Sequence, residues 1–391
     1  MKKKLAIIGS GRMAWIFGKN AQMMGVETHA FSFDDNCIAK ETVTAHHLVD
    51  IMKTDEVLHL CQSLGVNGVV ATTELTVPVA SYVAQHMGLP CIPYDKARVI
   101  TDKYRNRKAC AGIEGLEQPG FVEITDISEF DRQSLRYPLI LKPTSKGGKR
   151  GITVVDNPND LEASFQYAKQ FSGIDPVIIE EYIEGGQEYS VESLSCQGRH
   201  YIVQITQKIS SGPPHCVELG HQQPAQITVE MRNTVKRIIS SGLSAIGVEN
   251  GACHTEIKIA DGKVWLIEFN ARPGGDHIAW PLTELSTGYP YIKGLIEVAL
   301  GEFQGLDESQ LRHDYAGVLF VTEQTACLKP LFDVCEKYDW LYWKNEVSKE
   351  LLPLTHNDGY HTNFMMYYSK TSKPDFKSIL NDESIEFSLS I

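Results

Sequence analysis

The sequence predicts an α/β fold with an α+β centre, and two observations carry this prediction. In the first ninety residues, strand-like and helix-like patterns alternate in the order βαβαβα, which is typical of a doubly wound parallel sheet. From Tyr137 onward, short apolar strands joined by glycine-rich turns replace that alternation and predict antiparallel pairing. The 391 residues are enough for roughly two to four structural units.

The N-terminal elements follow one another closely. The predicted strands are KLAIIGS, VETHAFSF and VNGVVAT, and the predicted helices are Met13 to Met24, TDEVLHLCQSLG and VPVASYVAQHMG. A proline-rich turn in LPCIPYDKARV then leads into the second unit.

The central and C-terminal elements are mostly strands. Those predicted first are YPLILKP, GITVVD, PVIIEEYI, QEYSVESLSC and RHYIVQITQK. A helix follows at about Glu230 to Ala245, and another lies near Tyr291 to Leu300. Between them, ACHTEIKIA and KVWLIEFN are two strands joined by the turn Asp261-Gly262. The strands GVLFVTE and GYHTNFMMYYSK belong to the last part of the chain.

Composition limits the class of protein. Apolar residues make up 42% of the chain and charged residues 22%, as in ordinary globular enzymes. A net charge of −12 argues against nucleic-acid or anionic-membrane partners, and no apolar run is long enough to span a membrane. The nine cysteines form no C-x-x-C pair and predict reduced thiols in a cytoplasmic protein.

A glycine-rich loop follows the strand that ends at Lys142. The loop carries Gly147, Gly148 and Gly151 together with Lys149. Glycines let backbone N–H groups approach phosphate oxygens, and the cations offset phosphate charge, so the loop predicts a phosphate cradle. It is not a Walker loop, because it lacks the G-K-[ST] ending and joins two strands. A basic, flexible surface hairpin is the alternative from these residues alone.

A second motif, HTEIKIADGKVWLIEFNARPGGD, concentrates oxygen ligands. Glu256 and Glu268 lie on two strands joined by a tight turn, and Asn270 shares the face of Glu268. Two carboxylates and an amide oxygen are a hard-oxygen set that predicts a Mg²⁺ site; a solvated strand face is the alternative. Two residues further on, Arg272 would stabilise a transferring phosphoryl group or bind a carboxylate. Gly274 and Gly275 would let a substrate pack against backbone.

With these motifs the chain resembles the ATP-grasp superfamily, over about residues 4 to 305. Within it, the chain looks most like carboxylate–amine ligases of the L-amino-acid ligase and carnosine-synthase type. The resemblance implies the ATP-grasp fold, with an N-terminal domain at 1–95, a lid subdomain at 96–185, a large subdomain at 186–305 and a small C-terminal lobe at 306–391. It also implies ATP and Mg²⁺ or Mn²⁺ as cofactors.

The resemblance assigns roles to named residues. The segment GLPCIPYDKARVITDKYRNR supplies Lys103 as a nucleotide-phosphate lysine, and Lys142 is the second lysine. The nucleotide base would be bordered by Glu180, Glu181, Tyr182 and Ile183, and the ribose held by Glu188. The metal ligands would be Glu256, Glu268 and Asn270, with Arg272 as the catalytic cation. The substrate would be contacted by Glu218, His254, Gly274, Gly275 and His277.

The implied activity is ATP-dependent joining of a carboxylate to an amine, with release of ADP and phosphate. Two alternatives stay open: a carboxylase or formyl-type enzyme of nucleotide-precursor metabolism, and a nucleotide sensor without turnover. The presence of all the predicted metal ligands together with Arg272 argues against the sensor, because a site without turnover would be expected to lose some of them. The expected partners are small molecules, and a homodimer is an open alternative.

Two other motifs have competing interpretations. The opening Gly9-x-Gly11-x-x-Ala14 with Asp34 fits a dinucleotide fingerprint, but a tight βα turn that frames the cleft is favoured, since no second feature demands a nicotinamide. The segment SGPPHCVELGHQQP contains His221, and we interpret it as an active-site loop instead of a zinc site, because its spacing fits no standard zinc pattern.

Overall fold

The computed structural model describes residues 2–380 and has three sheets. The N-terminal sheet is parallel, with the order β3-β2-β1-β4. Its strands are β1 (Lys4–Ile8), β2 (Glu27–Ser32), β3 (Ala45–Leu48) and β4 (Gly68–Ala71). Its helices are α1 (Arg12–Met23), α2 (Thr54–Leu64) and α3 (Val77–His86). This confirms the parallel sheet predicted from the alternating pattern.

The first turn of this sheet explains the opening glycine motif. Gly9 has a φ of 120°, a conformation that L side chains rarely adopt. A Cβ at Gly9 would also collide with the hydroxyl of Thr72, which itself donates to the Ile8 carbonyl at 2.9 Å. A requirement of the turn therefore accounts for this glycine, as the favoured interpretation expected.

The second sheet is antiparallel and carries the glycine-rich loop. Two helices and a short strand lead into it: α4 (Tyr94–Ile100), α5 (Lys103–Ala109) and β5 (Leu116–Glu117). Its strands are β6 (Phe121–Ile124), β7 (Leu139–Pro143), β8 (Thr153–Val155) and β9 (Val177–Glu181), in the order β6-β9-β7-β8. Helix α6 (Leu161–Ser172) packs against this sheet through Leu161, Phe165 and Ala168. The glycine-rich loop joins β7 to β8, as predicted.

The third sheet has nine strands in the order β16-β17-β15-β12-β11-β10-β13-β14-β5. After β5, its next five strands along the chain are β10 (Gln187–Cys196), β11 (Arg199–Ser210), β12 (Glu218–Gln223), β13 (Gly251–Ala260) and β14 (Lys263–Asn270). The last three are β15 (Tyr315–Phe320), β16 (Leu341–Asn345) and β17 (Phe364–Ser369). The accompanying helices are α7 (Val229–Ala245), α8 (Thr283–Thr287), α9 (Tyr291–Ala299), α10 (Lys329–Val334) and α11 (Phe376–Leu380).

One segment differs from the sequence interpretation. Glu218–Gln223, interpreted as part of a loop, is the buried strand β12, with β11 on one side and β15 on the other. The prediction was wrong because four of the six residues are polar, although all six are buried. Although Gln223 Oε1 has no hydrogen-bond partner among the described residues, its Nε2 donates to Thr206 at 2.9 Å and to Thr283 at 3.1 Å. Hydrogen bonds of this kind allow a polar strand to lie inside a sheet.

The predicted C-terminal lobe shares this third sheet. Strand β15 pairs with β12, and β17 pairs with β15, so the last strands extend the large sheet instead of forming a separate one. The end of the predicted lobe, residues 381–391, lies outside the described residues. The four domain boundaries stay predictions.

Two helices fix the units against one another. Helix α7 packs Val235, Ile239 and Leu243 under the large sheet in one apolar cluster with Phe269. At Gly242 a Cβ would lie 2.6 Å from the Phe269 ring, so this helix approaches the sheet closely. Helix α9 shares a second apolar cluster with α1 and β1. Among residues 2–380 no helix combines the length and apolar character needed to cross a bilayer.

Candidate active site

A cavity of about 370 Å³ lies where the three sheets meet. The predicted site residues that line it are Lys103, Lys142, Gly147, Gly148, Lys149, Glu180, Glu181, Tyr182, Ile183, Glu188, Glu218, His254, Glu256, Glu268, Asn270, Arg272 and Gly275. Residues that lie far apart in the sequence are thus brought to one place.

Three predicted site residues support the cavity wall without lining it. Gly151 has a φ of 72°, and a Cβ there would lie 2.9 Å from Phe171, so the glycine serves the loop's own packing. The Gly274 N–H donates to Glu192 Oε2 at 3.1 Å. His277 is buried among aromatic rings, with its ring centroid 4.4 Å from that of Phe364. The direct ligand contacts predicted for these three residues do not fit this placement.

The predicted oxygen cluster is assembled on the hairpin of β13 and β14. Glu256 lies opposite Glu268 in the register, and His254 lies opposite Asn270. The two carboxylates line the cavity with side-chain exposures of 14% and 16%. Lys103 Nζ lies 3.0 Å from Glu268 Oε1, and Lys208 Nζ lies 3.2 Å from Glu256 Oε2. Two inward-facing carboxylates are therefore balanced by lysines of other elements.

This cluster fits a divalent cation. Its donors are carboxylate and amide oxygens, which are the ligands that Mg²⁺ prefers. The Asn270 amide also has one buried atom, Nδ2, without a hydrogen-bond partner. Because the side-chain amide of Asn270 can flip and exchange its oxygen and nitrogen positions, its oxygen is available to an ion held by the two carboxylates. The residues that would hold the ion are Glu256, Glu268 and Asn270.

Carboxylates and lysines alternate along the floor of the cavity. Lys149 Nζ lies 3.7 Å from Glu188 and 3.9 Å from Glu256. Lys208 Nζ continues the row, 2.5 Å from Glu218 Oε1 and 3.2 Å from Glu256. Burial alone would raise the pKa of Glu256, but the charges of Lys208 and Lys149 lower it well below its usual value. The row links Glu188 at one end of the cavity to Glu218 at the other.

A buried ion triad holds the small sheet to helix α5. Glu180 contacts Arg107 Nε and Lys142 Nζ, each at 2.5 Å. Arg107 Nη1 also donates to the Leu266 carbonyl on β14, so one guanidinium joins two sheets. Although burial would raise the pKa of Glu180, the two cations lower it to about 2. The carboxylate predicted to border the base is therefore also a structural centre.

Replacing Glu180 by glutamine is expected to lower the free energy of unfolding by about 3–5 kcal/mol, because two buried cations lose their counter-ion. Urea unfolding measures the loss. The matched control is Glu181→Gln next door, whose partner Arg136 is 88% exposed, so about 1 kcal/mol or less is expected there. Since the pKa of Glu180 is lowered, its contribution is present above the unfolded-state pKa and fades as pH falls toward about 2. Equal losses in the two variants would contradict this assignment.

The segment after β9 forms a hinge between the small and large sheets. The Tyr182 N–H donates to the Pro138 carbonyl at 2.8 Å, and Lys258 Nζ donates to the Ile183 carbonyl at 2.6 Å. Lys258 also lies over the Tyr182 ring, 4.9 Å from its centroid. Tyr182, Ile183 and Lys258 all line the cavity. The hinge thus offers a partly apolar wall with backbone groups at its edge, which suits a flat heterocycle.

Arg272 has a partner that the sequence did not reveal. Its guanidinium contacts the carboxylate of Glu74, at the start of the short 3₁₀ turn Glu74–Thr76, and donates to the Pro273 carbonyl at 2.9 Å. The contact joins the N-terminal unit to the end of β14. Both residues line the cavity, so the guanidinium is available to a ligand as well as to Glu74.

Beyond Glu218 the cavity ends in a second polar group. Donor atoms of Glu218, His221 and Asp276 lie within 4.8 Å of one another. Burial and the nearby charge of Glu218 raise the pKa of Asp276 to about 7, and burial lowers that of His221 to about 4. Tyr360 also lines this end, and its buried hydroxyl has no hydrogen-bond partner. We call this region the substrate end of the cavity.

Several lining residues were missed from the sequence. Arg107 lines the cavity and lies in the same predicted segment as Lys103, but it has no local motif. Lys208, in a predicted strand, does not line the cavity and supports it from behind through Glu218 and Glu256. Asn357, Tyr360 and His361 come from the C-terminal part of the chain, where the resemblance does not extend. Only the paired strands bring these residues to the site.

The comparisons with known proteins agree with this geometry. The family model described as the ATP-grasp domain matches residues 135–280. The chain contains an ATP-grasp domain. The matched segment begins just before β7 and runs through the glycine-rich loop, the hinge and the hairpin of β13 and β14 to beyond Arg272. ATP and Mg²⁺ are the cofactors typical of ATP-grasp proteins.

Two curated relatives share parts of the chain. The carbamoyl phosphate synthase large chain of Thermotoga sp. (strain RQ2) is 22% identical over 326 residues, 77% of this chain. This chain spans only 28% of that relative's length. The D-alanine–D-alanine ligase of Neisseria meningitidis (strain FAM18) is 28% identical over 219 residues, 53% of this chain and 71% of the ligase.

Solved structures match the whole ATP-grasp architecture. The L-amino acid ligase from Bacillus licheniformis superposes with a TM-score of 0.78 and 22% identity, covering 98% of each chain. N5-carboxyaminoimidazole synthetase from Staphylococcus aureus, crystallised with ADP, gives 0.75 and 15%, covering 99% of this chain and 98% of its own. At these identities the matches establish the fold.

Proposed function

We propose that the protein is an ADP-forming ligase that activates a carboxylate as an acyl phosphate and joins it to an amine. The observation that carries the proposal is the meeting of Glu256, Glu268, Asn270 and Arg272 between two ends of one cavity. One end has the hinge and phosphate-neutralising lysines, and the other has the polar substrate end. A cavity of this kind can hold a nucleotide and a small acid with their reacting groups side by side.

The reaction has two steps. A carboxylate oxygen attacks the γ-phosphorus of ATP, the bond from that phosphorus to the β,γ-bridging oxygen breaks, and ADP leaves. The amine nitrogen then attacks the acyl carbon, the bond to the phosphate oxygen breaks, and an amide, a proton and inorganic phosphate result. Phosphoryl transfer of this kind depends mainly on positioning and on stabilisation of charge.

Each group of residues has a role in this scheme. Tyr182 and Ile183 border the base, and Glu188 holds the ribose hydroxyls. The phosphate charge is offset by Lys103, Lys142 and Lys149. Mg²⁺ on the carboxylate hairpin supplies charge neutralisation for the phosphates when it is bound. Arg272 stabilises the transferring phosphoryl group, since a planar guanidinium suits oxygens that share negative charge.

Glu218 and His254 lie where the acid and the amine would meet. Burial opposes the protonated form of His254, but its contact with Glu192 raises the pKa to about 9. His254 therefore carries a charge near neutral pH and would orient Glu256, whose Oε1 lies 3.4 Å from Nε2. We place an amino acid or another small acid at this end, in line with the names of the L-amino acid ligase and D-alanine–D-alanine ligase relatives.

The alternative is a carboxylase or formyl-type enzyme acting on a nucleotide precursor. It takes support from the similarity to carbamoyl phosphate synthase and to N5-carboxyaminoimidazole synthetase. Such an enzyme would use bicarbonate or formate as its acid. Small-molecule substrates are common to the two proposals, and a homodimer stays a prediction.

A phosphate-release screen tests the proposal. Pairs of amino acids and small carboxylic acids are incubated with ATP and Mg²⁺, and the products are identified by mass spectrometry. Release of ADP together with an amide supports the ligase. Turnover with only bicarbonate or formate plus a purine precursor would favour the alternative, and no turnover with any acid would favour a nucleotide sensor.

The lid, defined as Lys146 to Gly151, is expected to close over the phosphates when nucleotide binds. It is glycine-rich and charged, and between its packed base at Gly151 and its tip it is held by polar contacts and the ion pairs of Lys149 instead of by apolar surface. Proteolysis between Lys146 and Arg150 should therefore slow when a non-hydrolysable ATP analogue and Mg²⁺ are added. Cleavage in the connector Glu129 to Arg136 serves as the control and should change little. Equal lid cleavage with and without the analogue would contradict this prediction.

A further inference from the structure

The tip of the lid is held by contacts from three separate parts of the chain. Lys103 Nζ, on helix α5, donates to the Lys146 carbonyl at 2.7 Å. Gly147 lies against Glu74 of the N-terminal unit, where a Cβ would come within 2.7 Å of the carboxylate. The Asn357 N–H, from the C-terminal part of the chain, donates to the Gly148 carbonyl at 3.1 Å. Successive lid residues thus contact three distant segments.

Asn357, which makes the third of these contacts, also makes a second hydrogen bond through its side chain. The Asn357 side-chain oxygen accepts a hydrogen bond from the Glu218 N–H at 3.0 Å. Glu218 is the residue of β12 that faces Lys208 and the substrate end. One residue therefore binds the lid through its backbone and the substrate end through its side chain.

Asn357 belongs to a segment that closes the substrate end. We call residues 357–361 the C-terminal arm. Within it, Asn357, Tyr360 and His361 line the cavity, and the Gly359 N–H donates to Asp276 Oδ1 at 3.1 Å. The arm enters between β16 and β17, at the far edge of the large sheet, and reaches across to the lid. Its position is thus set by the C-terminal strands.

We propose that Asn357 is a positioning residue that couples closure of the lid to an ordered substrate end. The proposal rests on the proposed ligase function and adds a role for the C-terminal arm. When the lid closes, the Gly148 carbonyl meets the Asn357 N–H only if the arm is in place on Glu218. A filled and ordered substrate end therefore favours a shut lid, and a shut lid keeps water from the acyl phosphate until the amine attacks.

The chemistry gives this coupling a measurable consequence. An acyl phosphate that meets water is hydrolysed: water attacks the acyl carbon, phosphate leaves, and the free acid is regenerated. ATP is then consumed without amide being formed. The ratio of ADP released to amide formed therefore reports how well the lid stays shut, independently of the overall rate.

Two variants separate the backbone hydrogen bond to Gly148 from the side-chain hydrogen bond to Glu218. Asn357→Ala removes the acceptor for the Glu218 N–H and keeps the backbone donor to Gly148. Asn357→Pro removes the backbone donor as well, because proline has no N–H. The matched control is His356→Ala, since the neighbouring ring contacts Thr355 at 3.1 Å and does not line the cavity.

The test uses the full chain, with an acid and amine pair taken from the phosphate-release screen. A single hydrogen bond changes an equilibrium by about three- to tenfold. We expect Asn357→Pro to raise the ADP-to-amide ratio by about that factor and to speed lid proteolysis in the presence of the ATP analogue by a similar one. Asn357→Ala should give a smaller rise in the ratio and a raised KM for the second substrate.

The outcomes are distinguishable. If the wild type forms no ADP with any acid, the proposed function fails, while the proteolysis comparison still tests the contact between the arm and the lid. If Asn357→Pro unfolds early in a thermal melt, Asn357→Ala decides by its own ratio and proteolysis rate. Asn357 variants that match His356→Ala in ratio and in lid protection would overturn the proposal.

Discussion

Replacing Arg272 by alanine should lower kcat by about 10²–10³-fold, the usual cost of removing one preorganised charged donor. The guanidinium lies at the end of β14, two residues beyond Asn270, and lines the cavity. In the proposed reaction it would stabilise charge that develops as the phosphoryl group transfers, so its loss should affect turnover far more than nucleotide affinity. Arg272→Lys keeps the charge but loses the planar fork and should recover only a little.

The competing explanation is that Arg272 has only a structural role, and the structure identifies the residue with which it would then pair. The carboxylate partner is Glu74 of the N-terminal unit, not the nearby Asp276. Glu74→Gln removes the charge of this pair and leaves the guanidinium in place, so it is the matched control. Steady-state kinetics and calorimetric ATP binding are measured for each variant. If Glu74→Gln lowers kcat as much as Arg272→Ala, or if Arg272→Ala lowers only ATP affinity or stability, the catalytic role is wrong.

Glu268→Gln is expected to abolish turnover while the protein stays folded. The substitution keeps the size of the side chain but removes the charge opposite Glu256, so the hard-oxygen set is left with one carboxylate. Because Lys103 Nζ then lacks its partner at 3.0 Å, the two effects must be separated. Mg²⁺ titration of nucleotide binding does this, since a lost ion-binding site raises the Mg²⁺ concentration required.

The control for this prediction is Glu117→Gln. Glu117 lies on β5, at the same edge of the large sheet, and pairs with Lys263 at 3.7 Å outside the cavity. This variant should keep wild-type turnover and Mg²⁺ dependence. Wild-type rates in Glu268→Gln would remove the basis for the metal assignment. Unfolding of that variant at the assay temperature would call instead for Glu268→Asp, with the same titration.

Much of the site could be predicted from the sequence where chemistry and spacing coincide. Glu256, Glu268 and Asn270 meet on one hairpin, as expected. The tight turn at Asp261-Gly262 sets the register as far as Ile257 and Leu266, and a one-residue shift beyond them brings Glu256 opposite Glu268. The glycine-rich lid was visible for a similar reason, since its glycines and cations lie within one short loop. These features each lie within one short segment, so they can be recognised in the sequence without knowledge of the fold.

The rest depends on contacts between distant segments. Glu74 and Arg272 are 198 residues apart, and Asn357 reaches Glu218 across 139 residues. Strand β12 was missed because, apart from Leu219 and a glycine, its buried residues are polar and follow no apolar alternation. His277 looked like a substrate residue from its place after Gly275, but its φ of 70° directs it into an aromatic cluster. Long-range pairing and an unusual backbone angle leave no local signature.

Strand β12 has a consequence for how such a protein can diversify. It carries Glu218, and its two neighbours are β11, which carries Lys208, and β15, from the C-terminal part of the chain. Insertions or exchanges beyond β15 would therefore change the substrate end and the contact of the C-terminal arm with the lid, while the hairpin of β13 and β14 is kept. On the proposed function, selection could in this way change which acid and amine are joined and keep the hairpin that carries Glu256 and Glu268. The connection between β16 and β17 is thus a suitable place to introduce a different substrate preference, because the large sheet holds it at both ends.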